Sequence, residues 1–236
     1  RRAVQHAIRR EDFVAFEKGM QPPAYVFLGD LYAEYVPTAE RLKEIVPEYN
    51  PGKAIELLEQ AGWKMGPDRI MYKDGKPLEA VGWVSPAHTP YFVIAKAQLE
   101  AVGFKVGVKT VQGLSELYKA MAHNLFFCWP SLFVPSTQSL WLHSSRVGTT
   151  WNIFSIKNPE LDRLLDSGQV EMDDKQRREI YKKIGEMIIT EALFVPVMSH
   201  GIIQGVNPRV ANLDRALDHS VMTIGWQFLV LDIIAR

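Results

Sequence analysis

Between residues 78 and 111 the hydrophobic period changes from that of a strand to that of a helix and back, and this alternation narrows the fold more than any other feature. Residues 78–84 read as extended, Thr89-Pro90 opens a helix that Gly103 stops, and residues 104–111 alternate again. Strand, capped helix and strand form the pattern of a parallel βαβ unit. A short helix over 113–122 and an apolar strand over 125–129 carry the pattern on. Helices alternating with strands around one sheet predict an α/β fold with a mixed sheet flanked by helices.

Local signals punctuate the rest. Residues 1–19 have helical periodicity, with Val4, Ala7, Ile8, Phe13, Val14 and Phe16 on one face. Residues 20–37, with Pro22-Pro23, read as irregular. Asn50 is an N-cap, Pro51 suits the first turn and Gly62 the stop of a helix that buries Ala54, Leu57, Leu58 and Ala61. Asp74-Gly75 between the extended stretches 69–72 and 78–84 predicts a hairpin. Asn158-Pro159 opens another helix. Asp173 and Gln176 make a capping-box pattern for the longest one, which buries Ile180, Ile184, Met187 and Ile188. A strand is expected over 193–198 and another over 227–233.

Composition removes several function classes. Twenty-seven basic residues balance 27 acidic ones, and basic clusters go no further than pairs, so nothing points to nucleic acid or to a charged membrane surface. No apolar run is long enough to cross a bilayer. The single cysteine, Cys128, permits no internal disulfide. No glycine-rich phosphate loop or nucleophile elbow is present, and no two histidines stand at i, i+4. The sequence therefore predicts neither an enzyme, nor a cofactor, nor a metal site. The chain opens on Arg1-Arg2 inside a helical pattern, so it reads as a piece of a longer protein whose targeting segment lies elsewhere.

Six segments, taken in order, resemble one family. RRAVQHAIRREDFV is similar to a helix of the form R-x-A-hydrophobic-x-x-A-I-D/N-R-E, with Arg9 at the acidic or amide position. YNPGKAIELLEQAGWK follows Y-x-P-x-K-A-x-x-L-L-x-x-A-G-W, and DGKPL fits the hairpin after it. IAKAQLEAVGFKVGVKTV, NPELDRLLD and DDKQRREIYKKIGEMIITEALFVPV fit the later elements, so the likeness covers about residues 1–200. The family is that of bacterial extracytoplasmic solute-binding proteins of the dipeptide, oligopeptide and nickel type, family 5, which feed ABC importers.

The resemblance implies a periplasmic-binding-protein-like lobe. Residues 1–204 would be the second lobe of a two-lobed protein, and 205–236 the segment that returns toward the first. It implies a periplasmic or membrane-anchored extracytoplasmic monomer that closes on a peptide- or oligosaccharide-sized solute and hands it to a permease. The same module serves some transcription regulators as a sensor, and that is the alternative reading.

The family's segment W-x-x-D-Y-x-x-P places an Asp beside the cleft, where it holds a peptide amine. Here CWPSLFVPS puts Ser131 or Leu132 at that position, and neither can pair with an ammonium group. A buried amine without a carboxylate is costly, so the expectation shifts toward an uncharged or weakly charged solute such as an oligosaccharide. Phe127, Trp129, Trp141 and Trp151 offer rings for stacking, and Ser131, Asn152 and His88 offer polar contacts. The competing reading puts the aromatics in the core and makes His88 a helix-entry residue.

Overall fold

The structure is a computed structural model that describes residues 1–26, 28, 30–84, 86–111, 125–127, 135–149, 152, 155–198, 210–211 and 232–233. Two compact units divide it, Arg1–Ser199 and His200–Arg236. In the second, the described residues form one antiparallel pair, β7 (Val210–Ala211) with β8 (Asp232–Ile233). Most of the strand expected over 227–233, and the expected helix over 113–122, lie outside the described residues.

The first unit opens with two helices where the periodicity predicts one: α1 (Arg2–Ala7) and α2 (Arg10–Phe16). Ile8 and Arg9 between them are extended, at ψ 116° and 105°. The break has a packing reason. Side chains two apart on a helix diverge by about 200°, so a continuous helix could not bury both Ile8 and Arg10. Both are buried here, at 4% and 7% exposure. Phe16, expected on the apolar face, is half exposed. A 3-10 stretch (Asp30–Tyr35) and α3 (Ala39–Ile45) follow.

Helix α4 (Pro51–Gln60) forms as its caps dictate. The Asn50 side chain accepts from the Lys53 amide at 2.9 Å, and Gly62 takes the left-handed φ of +88° that stops the helix. Ala54 and Leu58 are buried and Leu57 is half-buried. Ala61 is exposed, because the helix ends at Gln60 and the last predicted face residue falls beyond it. Asn50→Ala should lower stability by about 1 kcal/mol in chemical denaturation. An unchanged midpoint would remove the cap from the account.

The hairpin turns on Asp74 and Gly75, both at positive φ (52° and 73°), as a two-residue type I′ turn demands. It joins β2 (Met71–Lys73) to β3 (Lys76–Pro77), with β1 (Lys64–Met65) on the outer side of β2. The expected partner over 78–84 is a separate strand. The pairing runs one bond past Pro77, from the Leu78 amide to Met71 O at 2.7 Å; the Met71 amide then turns to Gly103 O and Leu78 O accepts from the Lys105 amide, so the chain passes on into β4 (Glu79–Val84) of another sheet.

That sheet has the order β5-β4-β6, with β5 at Lys105–Thr110 and β6 at Leu125–Phe127. Both neighbours run parallel to β4, so the βαβ reading holds. Helix α5 (Thr89–Ala101) makes the crossover, and Gly103 at φ +94° ends its turn. Ala80 and Val84 of β4 are buried, and Gly82 between them leaves room for the Phe92 ring of α5. The core here gathers Phe13, Leu58, Met71, Val84, Phe92 and Leu99.

A second core sits among α6 (Gln138–Leu142), α7 (Pro159–Val170) and α8 (Asp174–Thr190), around Leu142, Leu161, Leu165, Tyr181, Ile184 and Ile188. Asn158 caps α7 through the amides of Glu160 and Leu161. Asp173 caps α8 by accepting from the Gln176 amide at 2.8 Å, while its own amide turns to Glu171 rather than to the Gln176 side chain. The capping box is therefore half made. Residues 193–198 carry no ladder: a single bridge joins Met198 to Pro23, and Pro196 cannot donate. Among the described residues no helix is long and apolar enough to cross a membrane.

Candidate functional site

The parallel order β5-β4-β6 fixes where a ligand-binding edge can lie. The chain leaves β4, crosses through α5 to one side and later places β6 on the other. The sheet therefore changes winding direction between β4 and β6, and in open α/β sheets solutes bind outside the carboxyl ends of strands at such a point. Val84 and Phe127 are register partners there, and Val84 also pairs with Thr110. Neighbouring strands lie about 4.8 Å apart, so β4 and β6 end side by side at Val84 and Phe127.

His88 belongs to this edge. It ends the turn Pro86–His88 and stands at the N-cap of α5, where it is half-buried and makes no side-chain capping bond. Its ring lies 6.4 Å from that of Tyr91. Tyr91 is itself pinned. Its hydroxyl donates to Glu17, which together with burial holds the phenol pKa above its ordinary value, and its ring meets Phe16 edge-on at 5.4 Å.

Trp83 is the residue that sequence reasoning passed over. It points to the face of β4 opposite Gly82 and Val84, is half-buried, and pairs in register with Lys109 and Phe126. The Lys109 ammonium lies 4.7 Å from its ring centroid, within the range of a cation–π contact. The signal was available: a tryptophan next to the last residue of an alternating strand faces away from the core when its neighbours are buried.

Two expected contact residues sit in another neighbourhood. Trp141 lies on α6, half-buried against the second core. Asn152 is fully buried. Its amide nitrogen donates to the carbonyls of Leu142 (3.3 Å), His143 (3.0 Å) and Ile156 (2.9 Å), and its oxygen accepts from the Ile156 amide. Both N–H donors go to backbone carbonyls, so in this structure Asn152 braces its own loop. The loop is further tied to α7. Asp162 accepts from the amide and the hydroxyl of Ser144, and the His143 ring bonds Ser145 and faces Asp166 at 3.4 Å.

Trp129, Ser131 and Trp151 lie outside the described residues, as does the side chain of Phe127. A cleft of about 300 Å³ opens elsewhere, lined by Arg2, His6, Lys53, Leu57 and Ile189 among others. It includes none of the expected contact residues. We place the candidate site at the strand ends, because sheet topology positions it there and the cleft has no comparable argument. Among the described residues no cluster of three or more His, Cys, Asp or Glu could hold a metal ion.

Known proteins share this frame. Residues 1–145, more than half of the chain, match the family described as bacterial extracellular solute-binding proteins, family 5, middle. The oligopeptide-binding protein AppA of Bacillus subtilis is 28% identical over 206 residues, which are 79% of this chain and 36% of AppA. The structure of AppA in complex with a nonapeptide matches with a TM-score of 0.71 over 84% of this chain and 40% of AppA, at 25% identity. DppA from Helicobacter pylori, in complex with the peptide STSA, matches 99% of this chain and 43% of its own with a TM-score of 0.74 and 20% identity. A periplasmic oligopeptide-binding protein from Thermotoga maritima, bound to mannohexaose, matches 84% of this chain and 40% of its own with a TM-score of 0.68 and 21% identity. The chain thus spans about two-fifths of the length of the relatives it matches.

Proposed function

The chain belongs to the bacterial extracellular solute-binding proteins of family 5, and from that premise we propose that it is one wall of a clamp that captures a peptide- or oligosaccharide-sized solute for an ABC importer. Residues 1–204 are the second lobe, and 205–236 return toward the first. The solute favours the closed arrangement because only that arrangement touches it from both sides. The closed protein then delivers it to a permease from the periplasmic or outer side of the membrane. It acts as a monomer and carries out no chemistry on the solute.

The observation that carries this reading is the parallel order β5-β4-β6, which brings the carboxyl ends of β4 and β6, Val84 and Phe127, together at one edge. On that edge His88, Phe127, Trp129 and Ser131 form the wall, with Trp141 and Trp151 as outlying rings. Trp83 joins them as a further ring. Ser131 or Leu132 at the family's acidic position supports an uncharged solute over a peptide amine.

Calorimetric titration of the full-length protein with a dipeptide, a nonapeptide and mannohexaose tests the proposal. Binding of the sugar with weak dipeptide binding is the expected result, and tight dipeptide binding would sink the oligosaccharide preference. Trp129→Ala in the full-length protein should weaken solute binding by about 1–3 kcal/mol through lost stacking. An unchanged affinity would move the site elsewhere.

A further inference from the structure

Arg10 is a buried cation that the solute wall does not use. It is 7% exposed, and no carboxylate among the described residues forms an ion pair with it. Its single Nε–H is shared between two carbonyls, Ala24 O and Pro196 O, each at 3.0 Å. The Tyr25 ring covers the guanidinium at 4.9 Å. Burying a guanidinium is costly unless its donors are satisfied, and the two carbonyls satisfy the Nε–H.

The two carbonyls belong to segments far apart in sequence that are poorly joined by their own backbone. One bridge, Pro23 with Met198, and one long bond, from the Ala24 amide to Val197 O at 3.4 Å, connect them. Pro22, Pro23 and Pro196 have no amide hydrogen, so a normal ladder cannot form here. Arg10 supplies the missing donor from the first turn of α2. The segment it holds is the last of its unit, since the boundary falls between Ser199 and His200, directly after the Met198 bridge.

We propose that Arg10 is a positioning residue, a clasp that fixes the direction in which the chain leaves this lobe at Met198 by gripping the carbonyls of Ala24 and Pro196. It touches no solute. It acts through the backbone, and so sets how far apart the two walls of the clamp rest before a solute arrives. That consequence rests on the two-lobed reading above; the clasp itself does not.

The test uses the full-length protein with Arg10→Met, which keeps the apolar stem, and Arg10→Lys, which keeps the charge but cannot place one N–H between both carbonyls. Amide hydrogen exchange reads the clasp. The Ala24 amide should exchange at least about tenfold faster, while those of Leu164 and Ile184 in the second core keep their rates. Paired spin labels, one on each lobe, read the consequence: the unliganded distance distribution should broaden in Arg10→Met. A purely structural role would lower the melting temperature and leave that distribution as it was. If Arg10→Met does not fold, Arg10→Lys decides on the same readouts with a smaller shift. In either folded variant, wild-type exchange at Ala24 overturns the clasp, and a wild-type distribution overturns the positioning role. Failure of the two-lobed reading shows differently, as a wild-type inter-lobe distance that neither the nonapeptide nor mannohexaose shortens.

Discussion

Gly82→Ala is expected to cost about 3 kcal/mol in chemical denaturation, the upper end of the range for overpacking a core. A Cβ built at Gly82 would lie 1.9 Å from Cζ of Phe92, with both Cε atoms within 2.6 Å. No flexible end is there to move aside. Phe92 is 1% exposed and sits on the first half of α5, wedged over the central strand of the sheet. Relief requires the ring to leave its rotamer or the helix to lift from β4, and either change loosens the contact that builds the βαβ unit. The partner of the clash can be removed. In the double variant Gly82→Ala, Phe92→Leu the two costs should fail to add, with a favourable coupling of about 1–3 kcal/mol. Strict additivity would show that helix and strand do not meet at these two residues.

Asn152→Ala is expected to lower stability by about 3 kcal/mol or more, because it strips partners from several buried backbone groups at once. The Ile156 amide loses its acceptor, the carbonyls of Leu142 and Ile156 lose the Asn152 donor, and His143 O keeps only the Arg146 amide. Asn152→Asp should rescue little. It keeps the bond from the Ile156 amide and sets a carboxylate against three carbonyls. Melting temperature and solute affinity, measured on the same full-length variant, separate two roles. A scaffold residue lowers the first and leaves affinity intact below the transition. A solute contact lowers affinity with the melting temperature unchanged, and that pattern would contradict the assignment made from its burial.

Elements closed by neighbours in sequence were legible before any coordinates. Asn50, Asn158 and Asp173 cap helices through amides two or three residues away, and Asp74-Gly75 turns a hairpin on its own φ angles. The parallel unit was legible for a similar reason, since its period changes at Thr89 and again at Gly103. Features set by distant partners were not. The break at Ile8 and Arg9 exists because Ile8 and Arg10 must both be buried against segments far along the chain. The partner of β2 was misplaced because from Leu78 onward the backbone turns to β5, a strand more than 25 residues away, and leaves β2 after one bond. Residues 193–198 look like a strand by composition, yet they find one bridge and a guanidinium in place of a neighbour.

The candidate site divides along the same line. His88 at the strand-to-helix transition could be placed from period alone, and the structure puts it at the carboxyl edge of β4. Asn152 could not, because a polar residue in a family-like run reads identically whether its amide faces a solute or four backbone groups. Trp83 was hidden by its position inside a strand, where alternation identifies the outward face only once the inward one is known.

The central claim is that this chain is half of a solute clamp, and one comparison tests it most directly. The isolated 236-residue chain and the full-length protein are titrated side by side with the nonapeptide and with mannohexaose. The account predicts a folded but weakly binding isolated chain, and at least about a hundredfold tighter affinity in the full-length protein for one of the two solutes, equivalent to about 2.7 kcal/mol. Equal affinities in the two proteins would contradict it.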